Sequence, residues 1–396
     1  EAVPFAKAGG LADMVSSLAV ALADLGHDVR VVMPRYSGIG GGELEARRAP
    51  LGVPLGTREE WCGVLEGDLG GGRVPVYLLD HDGLYGREGV YGLRGEGGFP
   101  DNVRRFALLC RGAFQLCRSL GWTPEVMHAH DWPAALVPVY LNGVEGGAPF
   151  HHTASVLTIH NLGYQGIFPK KEFVHLGLPW EQFHGGGLEW FDDLNLLKAG
   201  LKGGDLLTTV SPTYAREIQT AAFGEGLDAL LRFRSDDLFG VLNGIDYEVW
   251  NPETDPSLAA TYSESDLRGK AVNKEALQTE LGLPVEPRVP LIGMITRLVD
   301  QKGLGELCGP THGSLWSIAT DFAVQVAILG TGERWCEGEL ETLGSKLPNL
   351  RVELRFDERL AHRIEAGSDF FLMPSRYEPC GLNQMYSLRY GTPPIV

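Results

Sequence analysis

The chain has 396 residues, 44% of them apolar, and this length exceeds what one hydrophobic core usually supports, so two domains are expected. The formal net charge of -17 argues against a nucleic-acid or anionic-membrane partner, because either would be repelled at long range. The six cysteines lack metal-ligand or paired spacing, which indicates reduced thiols, and no run approaches the ~20 apolar residues of a membrane span.

The front of the chain predicts a glycine loop, a helix and a strand. Leu11 to Leu25 carries apolar residues at helical spacing, and Val29 to Met33 is predicted to be a buried strand. The leading strand of a Rossmann unit is absent, so we expect a chain truncated at its front. The pair Gly9-Gly10 before the helix is, by itself, more typical of a tight turn than of a phosphate-binding loop.

The next part of the chain predicts a glycine-rich segment, a strand and a long helix. Residues 38–72 are rich in glycine and precede the strand predicted from Val74 to Leu79. The helix is predicted from Asp101 to Leu120, with Asp101 as its N-cap and Gly121 beyond its end.

Two predicted strands, Glu125 to Asp131 and Ser155 to Asn161, end in polar side chains within HAHDW and TIHN. In doubly wound sheets, ligands bind beyond the carboxyl ends of strands. We therefore expect four of these polar residues to line one crevice: His130, Asp131, His160 and Asn161. A strand-end histidine is more often structural, so the pattern alone leaves both interpretations open.

The second half of the chain alternates strands with helices after a polar connector, Val241 to Asp255, where a hinge is expected. The alternation predicts a parallel sheet and an α/β fold class. Its strands are predicted at Pro290 to Thr296, Ala323 to Leu329, Val352 to Phe356, and Phe370 to Met373.

The last stretch predicts a ligand-binding turn between a strand and a helix. Pro374 ends the strand, Gly381 opens the helix, and the first N–H groups of that helix lack partners and favour an anion. Glu378 lies in the same turn, which suits a sugar phosphate better than a bare phosphate. A capped strand-to-helix loop without a ligand is the alternative interpretation.

Several stretches resemble motifs of one family, the bacterial glycogen synthases and plant starch synthases. The family's PSRFEPCGLTQ is matched by PSRYEPCGLNQ, residues 374–384. Its KTGGL, HCHDW, VHN and SRLTWQKGL motifs resemble KAGGL, HAHDW, IHN and TRLVDQKGL of this chain. The resemblance implies two Rossmann-like domains facing each other across a cleft, the GT-B glycosyltransferase fold. The N-terminal acceptor domain would span residues 1–245 and the C-terminal nucleotide-sugar domain residues 246–396, with both ends of the fold incomplete.

The resemblance also implies roles for individual residues. Arg297 and Lys302 become a clamp for the donor diphosphate, although two cations flanking a strand-to-helix turn could be a solvated surface pair. Glu378 would bind glucose hydroxyls, and His160 would stabilise positive charge near C1 through its backbone carbonyl. The remaining donor-binding candidates are Lys7, Gly9, Gly10, Phe356, Cys380, Gly381 and Leu382. The acceptor-binding candidates are Asp13, Asp131 and Asn161.

Three departures from the family pattern accompany these matches. Ala8 stands where the family has Thr, and Pro133 where it commonly has His. A segment in which the family has an unbroken helix contains Gly309, Pro310 and Gly313. The resemblance also places Phe356 at the end of a strand, where its ring would stack on adenine. Packing of the same ring in the hydrophobic core is an equally weighted alternative.

The function implied by the resemblance is a glycogen or starch synthase. It would transfer glucose from ADP-glucose to the non-reducing end of an α-1,4-glucan with retention of configuration, by front-side attack of the acceptor hydroxyl. No cofactor or metal is expected, and the compartment would be the bacterial cytoplasm or the plastid stroma. The alternatives are a catalytically inactive glucan-binding homologue and a related glycosyltransferase that uses another nucleotide sugar.

Overall fold

The computed structural model describes residues 1–39, 44–93, 97–309 and 313–396. The chain divides into two compact units, Glu1–Asn243 and Gly244–Val396. The acceptor and donor roles expected for the two domains stay predictions. Within the described ranges, no helix is both long and apolar enough to span a bilayer.

The first unit combines helices with strands of both orientations. Its helices are α1 (Gly10–Asp24), α2 (Asp82–Tyr85), α3 (Asn102–Leu120), α4 (Asp131–Ala134), α5 (Leu136–Leu141), α6 (Leu196–Gly203), α7 (Pro212–Glu217) and α8 (Asp228–Phe233). Its strands are β1 (Val31–Pro34), β2 (Glu45–Ala46), β3 (Leu51–Leu55), β4 (Arg58–Leu69), β5 (Val74–Asp80), β6 (Val126–His130), β7 (Ala154–Ile159), β8 (Ile167–Pro169), β9 (Glu189–Trp190), β10 (Asp193–Asn195), β11 (Leu206–Thr209) and β12 (Leu238–Gly240). Short 3₁₀ turns span Lys170–His175, Trp180–Gln182 and Ser235–Asp237.

Three sheets organise this unit. A parallel sheet has the order β12-β11-β7-β6. A mixed sheet has the order β1-β5-β4-β2, in which β1 and β5 are parallel and β4 is antiparallel to β5. A small antiparallel sheet joins β8, β10 and β9. Because β6 and β7 are parallel neighbours, their carboxyl ends meet at one edge, which positions the polar residues that follow them.

Two features of the first unit differ from the sequence-based expectations. The antiparallel pair β3 and β4 lies inside the glycine-rich segment, where no strand was predicted. Asp101 does occupy the N-cap position of α3, but its side chain does not cap the helix. Its carboxylate instead accepts hydrogen bonds from Arg87 Nη2 at 2.6 Å, so a tertiary ion pair replaces the local cap.

The second unit is a parallel sheet with helices on both faces. Its helices are α9 (Arg268–Glu280), α10 (Leu304–Cys308), α11 (Ser314–Asp321), α12 (Arg334–Lys346), α13 (Glu358–Gly367) and α14 (Leu382–Arg389). Its strands are β13 (Leu291–Leu298), β14 (Gln325–Gly332), β15 (Leu350–Glu353), β16 (Phe370–Leu372) and β17 (Pro394–Ile395), and a 3₁₀ turn spans Asp300–Lys302. The strand order is β15-β14-β13-β16-β17 and every pairing is parallel, which confirms the predicted parallel sheet.

The core of the second unit has two layers, because successive side chains of a strand point to opposite faces of the sheet. Ile292 and Met294 of β13 pack in one apolar cluster with α10, α11 and α12. Leu291 of the same strand packs in the other cluster with α9 and α13. Covering both faces leaves the carboxyl edge of the sheet as the place where polar residues can meet a ligand.

The structure places Arg297 and Phe356 differently from the sequence-based expectation, and it describes part of the segment that departs from the family pattern. Arg297 lies within β13 and not in the turn that follows it. β15 ends at Glu353, so Phe356 lies beyond the strand and not at its end. In the segment that departs from the family pattern, α10 ends at Cys308 and α11 begins at Ser314, while Pro310 lies outside the described residues.

Candidate active site

In the second unit, the central feature is an ion pair at the carboxyl edge of the parallel sheet. Lys302 ends the 3₁₀ turn after β13, and Glu378 lies in the loop after β16. Lys302 Nζ donates a hydrogen bond to Glu378 Oε1 at 2.5 Å, and the two side chains are only 17% and 18% exposed. The alternative that Lys302 is a solvated surface cation is therefore wrong.

The loops that carry Lys302 and Glu378 are joined by several hydrogen bonds. The Arg376 N–H donates to the Gln301 carbonyl at 3.0 Å, and Gln301 Nε2 donates to the Tyr377 carbonyl at 3.3 Å. Gly303 has φ +72°, and a Cβ there would lie 1.9 Å from the Pro374 carbonyl oxygen, so only glycine permits this approach. The loops are thus held together as one support for the ion pair.

The Arg376 side chain reinforces this support from the outside. Its Nη1 donates to Asp300 Oδ2 at 2.5 Å and its Nη2 to Glu306 Oε1 at 2.7 Å. The guanidinium therefore links the loop after β16 both to the 3₁₀ turn and to α10. Because these groups are exposed, their main effect is to fix geometry and not to add much stability.

A second hydrogen bond reaches the same oxygen of Glu378. Ser375 Oγ donates to Oε1 at 2.6 Å, three residues before the glutamate in the chain. Ser375 was not among the predicted site residues, although it lies inside the matched string PSRYEPCGLNQ. A hydroxyl three residues from a candidate carboxylate was the available signal.

The other donor candidates of this unit, apart from Phe356, lie near the end of β13 and at the start of α14. Arg297 is an exposed residue near the end of β13. Gly381 has φ +79° and stands at the N-cap of α14, which has no side-chain cap; Cys380 precedes it and Leu382 begins the helix. Asn383 Nδ2 donates to the Ile295 carbonyl at 2.6 Å, which ties the start of α14 to β13. The helix start is therefore held at the edge where Lys302 lies.

Phe356 lies in a loop of the second unit, outside the apolar core. It is 73% exposed and lies between the end of β15 and the start of α13. The alternative that its ring packs in the core is wrong. Stacking on a base stays a prediction.

In the first unit, the ends of β6 and β7 bring four candidate residues together. His130 Nδ1 and His160 Nε2 share a hydrogen bond of 3.2 Å. Asp131 Oδ1 accepts from the backbone N–H of His160 at 2.6 Å and of Asn161 at 3.5 Å. Asp131 has φ +54°, a left-handed conformation that is unusual for a non-glycine residue and is often found at functional sites.

The charge states of these residues follow from burial. Burial lowers the pKa of the His160 imidazole to about 3, with a smaller contribution from His128, so the ring is neutral near pH 7. Burial raises the pKa of Asp131 to about 7, although the two backbone N–H donors favour its charged form. The site therefore presents neutral imidazoles beside a carboxyl group that titrates near neutral pH.

At the start of α1, the structure pairs two candidates that the resemblance assigned to different ligands. Lys7 Nζ lies 2.9 Å from Asp13 Oδ1. The Glu1 carboxylate accepts hydrogen bonds from the backbone N–H groups of Ala8 and, at 3.2 Å, of Gly9, while Gly10 begins the helix. Backbone N–H groups of the glycine loop thus donate to a carboxylate of the chain itself, and Glu1 was not among the predicted site residues. Binding of a donor phosphate by this loop stays a prediction.

The described residues were also compared with the ligand arrangements of metal sites. In the described part of the chain, no group of three or more His, Cys, Asp or Glu side chains is arranged to hold a metal ion.

Comparison with known proteins identifies relatives of this chain. The family model for the starch synthase catalytic domain matches residues 1–233. A glycogen synthase of Treponema denticola is 52% identical over 396 residues, which cover the whole of this chain and 81% of that protein. Glycogen synthase 1 of Geobacter sulfurreducens is 51% identical over 401 aligned residues and is covered to 79%.

A solved structure extends the likeness to the fold. The catalytic domain of starch synthase IV from Arabidopsis thaliana, solved with ADP and acarbose bound, matches with a TM-score of 0.91 and 34% identity. The match covers the whole of this chain and 80% of that one. It confirms the predicted α/β class and the GT-B fold.

Proposed function

This chain belongs to the family of bacterial glycogen synthases and plant starch synthases, and we propose that it transfers glucose from ADP-glucose to the non-reducing end of an α-1,4-glucan. It is a retaining glucosyltransferase. The observation that carries the residue-level proposal is the half-buried Lys302–Glu378 pair beside the uncapped start of α14. A cation and a carboxylate held together suit a ligand that is a diphosphate at one end and a sugar at the other.

The diphosphate leaving group requires fixed positive potential. As the bond from glucose to diphosphate breaks, negative charge grows on the leaving oxygen, and preorganised donors stabilise it more than mobile water does. Lys302, Arg297 and the first N–H groups of α14 supply this potential in the proposal. Lys302 is already oriented, because Glu378 holds its ammonium group before the donor binds.

Glu378 binds glucose hydroxyls in this mechanism and is not a nucleophile. Retaining glycosidases use a carboxylate that attacks the sugar carbon, but here the acceptor hydroxyl attacks from the side that the diphosphate leaves. Oε1 of Glu378 is already occupied by Lys302 and Ser375, which suits a group that orients hydroxyls.

His160 contributes through its backbone and through its lack of charge. Asp131 Oδ1 accepts hydrogen bonds from the His160 N–H at 2.6 Å and from the Asn161 N–H at 3.5 Å. The Asn161 N–H belongs to the same peptide unit as the His160 carbonyl, so the second bond helps to orient the oxygen that is proposed to stabilise positive charge near C1 of glucose. Its imidazole stays neutral because burial lowers its pKa to about 3. A protonated ring beside a cationic sugar would raise the barrier by charge repulsion. Asp13, Asp131 and Asn161 are proposed to hold the glucan acceptor.

The proposed donor and compartment rest on the relatives. The Arabidopsis structure contains ADP, which supports an adenine nucleotide here. The two glycogen synthases of about 50% identity are bacterial, which supports the bacterial cytoplasm over the plastid stroma.

Transfer of labelled glucose tests the proposed function. The protein is incubated with glycogen and either ADP-[¹⁴C]glucose or UDP-[¹⁴C]glucose, and the label in precipitated glycogen is counted. We expect faster incorporation from ADP-glucose, and release of the label as maltose by β-amylase, which cuts α-1,4 links from non-reducing ends. Glycogen binding without incorporation from either donor would instead identify a catalytically inactive homologue.

The choice between adenine and uracil gives a prediction for Phe356. Replacing Phe356 by Ala is expected to weaken ADP-glucose binding about tenfold, because stacking on a base contributes roughly 1–3 kcal/mol. UDP-glucose binding should weaken less, since uracil offers a smaller face. Calorimetric titration of both donors measures the two losses.

A matched control is Phe322→Ala, which removes another exposed ring from the same unit. This variant should bind both donors like the unmodified protein. Equal losses for the two donors in Phe356→Ala, or no loss, would mean that adenine is selected by backbone groups near Gly330 or Arg376.

A further inference from the structure

The carboxylate of Glu378 is held asymmetrically. Ser375 Oγ donates to Oε1 at 2.6 Å, and Lys302 Nζ donates to the same atom at 2.5 Å. From the residues that the structure describes, no hydrogen bond to Oε2 is found. One oxygen of the carboxylate is therefore engaged by two donors, while the other is left for a ligand.

The two donors constrain the carboxylate differently. A lysine ammonium is a compact charge on a flexible stem with three rotatable donors, so it attracts an oxygen without fixing the rotation of the carboxylate plane. Ser375 approaches from the chain of Glu378 itself, and its short stem leaves little freedom. Hydrogen bonds to an ionised acceptor are also roughly twice as strong as neutral ones. The shorter, less flexible serine side chain is therefore the better suited of the two donors to fix which way the carboxylate faces.

Ser375 could instead serve only its own turn, as serines in loops often do. Such serines usually bond to a backbone group two or three residues away. Ser375 instead bonds to a side-chain carboxylate that is also the partner of Lys302. The bond thus acts on the candidate site and not on the path of the backbone.

We propose that Ser375 is a positioning residue that fixes the rotation of the Glu378 carboxylate, so that Oε2 accepts hydrogen bonds from the glucose hydroxyls of the donor. This proposal rests on the proposed function, because it requires a donor that carries glucose. It predicts a separation between two ligands. Binding of a nucleotide sugar depends on Ser375, whereas binding of the nucleotide diphosphate alone does not.

The test compares ADP-glucose with ADP by calorimetric titration of the full chain. Ser375→Ala is expected to weaken ADP-glucose binding about tenfold, as for the loss of one hydrogen bond to a charged group. ADP binding should change by less than about twofold, since ADP has no glucose to contact Oε2. Ser375→Thr keeps the hydroxyl and should restore most of the ADP-glucose affinity.

Two further variants separate positioning from a structural effect. Ser345→Ala removes a serine whose Oγ bonds only within α12, to the Thr342 carbonyl at 2.8 Å, and should leave both affinities unchanged. In a Glu378→Ala background, Ser375→Ala should cause no further loss, because Ser375 acts through the glutamate. If Ser375→Ala alone folds poorly, Ser375→Thr and Glu378→Ala still test the proposal, because the first should keep ADP-glucose affinity and the second should lose it while ADP binding persists.

Several outcomes would overturn the proposal. They are unchanged ADP-glucose binding in Ser375→Ala, equal losses for ADP-glucose and ADP, no recovery in Ser375→Thr, or an added loss in the Glu378→Ala background. Failure of the proposed function has a different signature, since the unmodified protein would then neither bind ADP-glucose nor transfer its label to glycogen.

Discussion

Replacing Lys302 by Ala is expected to lower turnover roughly 10²–10³-fold, as removal of one preorganised charge-stabilising donor does in other enzymes. The loss has two causes in this site. The positive charge that is proposed to face the leaving diphosphate disappears, and Glu378, its partner at 2.5 Å, remains as an uncompensated carboxylate that would repel the same diphosphate. Arg297→Ala should fall in the same range. Single-turnover transfer at saturating ADP-glucose measures the effect.

Two variants serve as controls for this prediction, one that removes a positive charge elsewhere and one that keeps the charge at position 302. Lys346→Ala removes an exposed cation at the end of α12 and should leave turnover unchanged. Lys302→Arg keeps the charge but replaces a compact ammonium by a planar guanidinium, so partial recovery is expected. If turnover of Lys302→Ala stayed near that of the unmodified protein, the diphosphate would have to be held by other groups.

Replacing Glu378 by Gln is expected to lower turnover by about 10²-fold, because hydrogen bonds from glucose hydroxyls to a carboxylate are stronger than those to a neutral amide. The shape of the side chain is retained, so the loss reports on charge. Affinity for ADP should be unchanged or higher, since Lys302 would no longer be neutralised by its partner. Steady-state kinetics together with ADP titration separates the two effects.

The matched control is Glu280→Gln, which removes a carboxylate of the same unit that pairs with Arg363 at 2.7 Å. This variant should transfer glucose normally. A fall in ADP affinity in Glu378→Gln, in parallel with the fall in turnover, would contradict a role confined to the sugar and would indicate that the glutamate supports the diphosphate clamp.

Local patterns were enough to predict much of the secondary structure. The helix predicted from Leu11 to Leu25 is observed as α1, and the alternation of strands and helices after the connector is observed as the parallel sheet of the second unit. Both predictions depend on periods read over consecutive residues, 3.6 for a helix and 2 for a strand. The string PSRYEPCGLNQ added the family, because eleven residues in order carry far more information than a helix or strand period.

Where a local pattern competed with a distant partner, the sequence was a poorer guide. Asp101 has the residue type and position of an N-cap, yet its carboxylate pairs with Arg87. The hairpin of β3 and β4 was missed because its strands gain their stability from cross-strand and sheet contacts, which propensity reports only weakly. Phe356 was assigned to a strand end, but β15 stops earlier and leaves the ring exposed.

The amino-acid sequence by itself determined the fold class, the family and the identities of the candidate residues, since these follow from local periods and a matched string. Only the tertiary structure decided that Lys302 and Glu378, 76 residues apart, form one ion pair, and that Ser375 bonds to the same oxygen. The physical reason is the order of the parallel sheet. β13 and β16 are neighbours although α10 to α13 and two other strands separate them in the chain, so the loops at their carboxyl ends meet only after the sheet has formed.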